Sequence, residues 1–159
     1  MSQEIVKALT GPVETSFALL EKFIDSCPDD LWAEKKGGWP LWQQIYHAIG
    51  AIDFFIEVPG ETPPAPLAPA GVGSLTEVAA EAVGKAEIKA ALESAKGRVG
   101  KFLASLNDAD LAKRNEPLFA RAKFEMTLAG TVSMLSAHAL YHIGSCDAAL
   151  RDRGLPGVF

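Results

Sequence analysis

Four stretches of the chain carry apolar residues at three- and four-residue steps, the period of an amphipathic helix. In the first, roughly residues 3–26, the stripe is Ile5, Leu9, Val13, Phe17, Leu20 and Ile24. Gly11 and Pro12 kink this helix or delay its start, and the "CPDD" that follows ends it. The second begins after "KKGGWP" and runs from Leu41 to about Val58, with Trp42, Ile45, Ile49, Ile52 and Ile56 on its stripe. The third runs from Ser74 or Glu77 to Leu106, rich in Ala, Glu and Lys, with a break predicted near Gly84. The fourth spans about Thr127–Arg153, where Arg151 and Arg153 suit the negative end of the helix dipole and Gly154 and Pro156 terminate it.

The connections are as informative as the helices. "PGETPPAPLAPAGVG" holds five prolines and reads as a long surface crossover between helices two and three. It is not a domain linker, because neither half has enough amphipathic helix to close a core. The polar stretch 107–125 predicts a turn with some extended character, and no alternating strand pattern of any length appears. The expectation is one all-α domain over residues 1–159: an antiparallel four-helix bundle with a long Pro-rich crossover.

Composition narrows the function. Of 159 residues, 48% are hydrophobic and 22% charged, a globular balance. The net charge of −5, without a basic stripe, argues against nucleic acid. No apolar run approaches a membrane span, and the opening "MSQEIVKALTGPVETSF" does not read as a signal peptide. Cys27 and Cys146 show no CxxC pairing and read as free thiols of a cytoplasmic protein.

The candidate chemistry lies in the histidines, of which there are three. His138 and His142, in "HALYH", stand four residues apart on the fourth helix. At about 100° per residue they fall about 80° and 40° from Leu128, beside the core stripe of Val132, Leu135, Ala139, Ile143 and Cys146. Thr131, Ser145 and Ala149 share that flank, and such small neighbours leave room for an ion. Two His at this spacing are a familiar zinc-binding arrangement, although repetition on a helix also produces it by chance. His47, on the second helix, lies nearly opposite Ile45, Ile49 and Ile52, so the angles permit a triad without demanding one. Three neutral imidazoles from two helices make a site with an open position for zinc, nickel, copper or ferrous iron. The competing reading is three core imidazoles with other partners.

Other residues admit two roles each. Tyr46 and Tyr141 are proton donors or packing residues, and Asp53 is a base, a support for a ligand or a salt-bridge partner. Gln43 lies on the His47 side and can hydrogen-bond a ligand or a water. Cys146 is a soft ligand or a buried hydrophobe. Trp32, Trp39 and Trp42 wall a pocket or anchor the core, and the "GVF" tail at 157–159 docks on a neighbour or does not.

"GWPLWQQIYHAI" (38–49) and "AHALYHIGSCDAALRDRGLP" (137–156) resemble the motifs of the DinB-like superfamily, with the Pro-rich crossover between them. The resemblance covers nearly the whole chain. It implies an up-up-down-down bundle, commonly a homodimer, with a divalent ion on His47, His138 and His142. Zinc or nickel is the expected metal, with iron or manganese as alternatives. It further implies a metal-dependent transferase or hydrolase acting with a low-molecular-weight thiol such as mycothiol, bacillithiol or glutathione. The alternative is a non-catalytic, stress-related metal-binding module. Pro40 departs from the pattern, standing where many members carry a Ser or Thr cap.

Overall fold

Helix α1, Glu4–Ser26, starts where the Asp108 carboxylate accepts the backbone N–H groups of Glu4, Ile5 and Val6 at 3.0–3.1 Å. Those donors have no partner within the helix, and an anion there also meets the positive end of the dipole. The computed structural model describes residues 2–159. α1 runs through Pro12, so that residue does not delay the start. The buried stripe is Val6, Val13, Phe17, Leu20, Phe23 and Ile24. Ile5, expected on it, is 55% exposed, because Val6 takes the inward position in the first turn.

A single turn, α2 (Asp29–Trp32), follows Pro28. Strands β1 (Lys35–Lys36) and β2 (Trp39–Pro40) then pair antiparallel across Gly37 and Gly38. Both glycines have positive φ, 62° and 94°, which a tight two-residue hairpin needs. This small hairpin was not expected from the pattern. Its strands are too short to show alternation.

α3, Leu41–Phe55, stops three residues earlier than predicted, with Ile56 already extended. The crossover contains one short turn, α4 (Ala70–Gly73). α5 spans Lys85–Ser105, so the expected start at Ser74 or Glu77 is corrected. Two interactions cause the late start. The Gln43 side chain takes the Glu77 carbonyl and the Ala79 N–H, holding that backbone out of a helix. At Gly84, the Glu87 carboxylate accepts the N–H at 3.2 Å and opens the helix there.

The polar stretch holds an unexpected helix, α6 (Glu116–Ala122), capped by Asn115 Oδ1 accepting from the Leu118 N–H at 3.1 Å. An isolated antiparallel bridge, Arg114 to Thr127, supplies the extended character. α7, Leu128–Asp152, is capped by the Thr127 hydroxyl and buries Val132, Leu135, Ala139, Ile143 and Cys146.

The protein is mostly helical. α1 packs on α5 and α7, and α3 packs on the same two. Their apolar faces meet in one cluster that runs from Val6 to Val158. The tail takes part: Val158 is buried, its N–H donating to Asp147 and its carbonyl accepting from Lys22. No helix among the described residues is long and apolar enough to cross a membrane.

One ion pair ties α3 to α5. Arg98 donates to both Asp53 oxygens at 2.7 Å and to the Ser94 hydroxyl. Arg98 is only 8% exposed, so its charge has little water to fall back on. Asp53→Ala should therefore cost about 3 kcal/mol of stability, read from the urea midpoint. A loss within the range of an exposed pair would contradict a buried role for Arg98.

Candidate metal centre

α3 and α7 lie against each other, and His47 on the one faces His138 and His142 on the other. The three ring centroids form a near-equilateral triangle with sides of 5.0, 4.8 and 4.9 Å. The rings stand at 64–74° to one another, each pair T-shaped rather than stacked. One nitrogen from each ring lies within 4.8 Å of the other two. The facing Nε2 atoms of His47 and His138 are 3.2 Å apart. On one tetrahedral zinc, two imidazole nitrogens stand roughly 3.3 Å apart. The first pair already meets that spacing, and the third nitrogen lies within 4.8 Å of both.

The tautomer of His47 is fixed by its surroundings. Nδ1 lies 2.8 Å from the Gly73 carbonyl, which can only accept, so Nδ1 carries the proton. In the neutral ring, the Nε2 lone pair then points at His138. A backbone carbonyl behind a ligating His is the usual second support of a metal-binding imidazole.

Burial prepares the other two rings. His142 is 5% exposed, and its Nδ1 is buried without a hydrogen-bond partner. Loss of water, together with the neighbouring His47 and His138, pushes its pKa down to about 4. His138 is lowered for the same first reason, with His47 adding to it. Both rings are therefore neutral at neutral pH, the form in which imidazole binds a metal. Three imidazoles whose ring nitrogens come together, one oriented by a carbonyl and two kept neutral by burial, are a donor set that a divalent cation would satisfy, so the residues fit such an ion. His47 and His138 are only half-buried, which leaves one side open to solvent.

The remaining candidates separate cleanly. Asp53 is held by Arg98 and does not join the triad. Tyr46 is buried, and its hydroxyl accepts the Leu67 N–H. Tyr141 is 75% exposed and sets its ring edge-on against His142. Gln43 reaches the crossover backbone and no ring. Cys146 and Cys27 are free and buried, and burial raises both thiols. Trp32 and Trp42 are buried core residues, stacked on Phe23 and Tyr46. The small flank residue Thr131 is bonded to Asn115 and makes no room for a ligand.

The model of the DinB superfamily matches residues 13–146, which include all three histidines. The chain belongs to the DinB superfamily. No curated protein and no solved structure matches significantly. The two motifs that flank this DinB-superfamily chain's crossover thus carry the three rings that the fold gathers. The Gly73 carbonyl escaped the sequence because a backbone acceptor has no residue signature. The only hint was the run of small residues after Pro69.

The depressed His142 pKa has a definite sign. Below about 6.5 the unfolded chain takes up a proton that the folded chain refuses until about pH 4, so stability falls as pH drops through that window. The metal-free protein should lose about 2 kcal/mol between pH 6.5 and 4 from this group, discounted because water reaches the adjoining rings. Urea unfolding at several pH values checks it. His142→Asn should flatten that window, and an unchanged slope would contradict the assignment.

Proposed function

We propose that this chain is a divalent-metal-binding DinB-superfamily protein, with His47, His138 and His142 as the ligands. On this reading it is a metal-dependent transferase or hydrolase that activates a water or a low-molecular-weight thiol. The observation that carries the proposal is the donor set. Three imidazoles converge, and no Asp, Glu or Cys joins them among the described residues. Three protein ligands with a remaining position are the catalytic type, whereas structural zinc is usually closed by four. Zinc or nickel suits this set best, and ferrous iron or manganese is the alternative. A bound ion would supply Lewis acidity and favour the ionised form of a water or thiol at the remaining position.

The chain's own groups have definite parts. His47 is oriented by Gly73, and His138 and His142 are kept neutral by burial. Tyr141, exposed at the edge of His142, is placed to meet an incoming ligand. The helix directions run against the expected up-up-down-down order: Glu4 meets Asp108 and Asp25 meets Lys89, so α1 opposes α5; Gln43 meets Glu77 and Asp53 meets Arg98, so α3 runs with α5; and Leu41 meets Cys146, so α7 opposes α3, which makes the single-domain bundle up-down-down-up. Two free cysteines support a cytoplasmic setting. The homodimer rests on family membership alone.

A second reading, a non-catalytic metal-binding interaction module, has one observation in its favour. Two of the candidate proton-transfer groups are engaged elsewhere: Asp53 by Arg98 and Tyr46 by Leu67.

Protein purified without a nickel column should carry about one divalent ion per chain, measured by elemental analysis, and His142→Ala should lose it. Zero metal in both would sink the proposal. Assayed with a panel of thiols and electrophiles, the enzyme should turn over, and His47→Ala should abolish turnover with the helical signal retained. Metal without turnover would favour the binding module.

A further inference from the structure

We infer that Gln43 is a positioning residue for the ligand His47, acting through the crossover backbone that it holds in place. Gln43 and His47 lie one turn apart on α3, and the Gln43 side chain is fully buried. Its amide NH2 donates to the Val72 carbonyl at 3.0 Å and to the Glu77 carbonyl at 2.6 Å. Its Oε1 accepts from the Ala79 N–H at 3.2 Å. All its polar partners are therefore main-chain groups of the crossover. The carbonyl next after Val72 is that of Gly73, the acceptor for His47 Nδ1. Gln43 thus grips one peptide and His47 leans on the next.

Among the described residues, Gln43 is the only side chain that hydrogen-bonds the 72–79 backbone from α3 apart from His47 itself, while Val72 seats the segment in the core. Tyr46, between the two on α3, accepts the Leu67 N–H at 2.9 Å and packs on Gly73. Beyond α4 the chain turns back on itself: Thr76 and Glu77 donate to the Gly71 carbonyl, and Leu75 takes a positive φ of 57°. A left-handed Leu is held by its surroundings and not by its own preference. The prolines before it contribute no N–H donors. Without the Gln43 clamp, the Val72 peptide loses its side-chain tie to α3 and the Gly73 carbonyl is held less firmly opposite Nδ1. The proton of His47 can then move to Nε2, which blocks the lone pair aimed at His138. Supports of this kind are worth 10- to 100-fold in metal affinity.

The inference rests on the metal site proposed above, and its test separates the two. In the metal-free protein, ¹⁵N NMR of the imidazoles should show His47 protonated at Nδ1. Gln43→Met keeps the side chain's length without its polar atoms, and it should give a mixture of both tautomers. Its zinc affinity, measured by competition with a chromophoric chelator, should fall 10- to 100-fold while circular dichroism stays unchanged. Should that variant not fold, Gln43→Glu replaces the amide NH2 with one oxygen facing two carbonyls and enters the same measurements. Coupling is reciprocal, so zinc added to the unsubstituted chain should slow amide exchange at Leu67 and Ala79. Folded variants that keep both the tautomer and the affinity would overturn the inference and leave the metal site standing. If the unsubstituted chain takes up no zinc, the metal site fails, and the tautomer comparison still decides the role of Gln43.

Discussion

The hydrogen bond from His47 Nδ1 to the Gly73 carbonyl decides which nitrogen of that ring offers a lone pair. Three imidazoles crowded together do not by themselves make a metal site. Each must present a bare nitrogen to the same point, and each must be neutral to do so. For His47 the neutral tautomer is chosen by a main-chain acceptor. For His138 and His142, neutrality follows from burial, which disfavours the charged ring.

The fold places these conditions together economically. α7 supplies two rings from one face because residues four apart are neighbours on a helix. α3 packs against α7 and supplies the third ring. The crossover, which in sequence looks like mere spacing, supplies the carbonyl that orients it. Its path is set by hydrogen bonds from α3 to main-chain groups: Gln43 to residues 72, 77 and 79, and Tyr46 to Leu67. The Asp53–Arg98 pair then fixes α3 against α5 at the other side, where a buried guanidinium has no alternative partner in water.

Much of this was legible in the chain. The stripe of the fourth helix, that of the first from Val13 onward, the start of the second at Leu41 and the HxxxH flank were readable, because long amphipathic helices write their period into the sequence. Four things were not. The start of α5 was read too early because "TEVAAEAV" has good helix propensity, yet two Gln43 bonds hold that backbone open and tertiary contacts override propensity. The helix α6 was hidden in a polar run, and only its Asn115 cap and Pro117 announced it. The placement of His47 stayed open because its helix is apolar nearly all round, so angles alone could not say which face meets α7. The partner of Asp53 was equally invisible, since it lies 45 residues away on another helix.

The central claim is convergence of the three rings on one cation, and anomalous scattering from a crystal of the untagged protein tests it most directly. Data collected on either side of a transition-metal absorption edge should give a single strong peak bounded by the side chains at 47, 138 and 142. The fourth neighbour should be a non-protein atom. A crystal grown with added metal that shows no peak among those rings, with each nitrogen bonded to protein or water instead, would contradict the account.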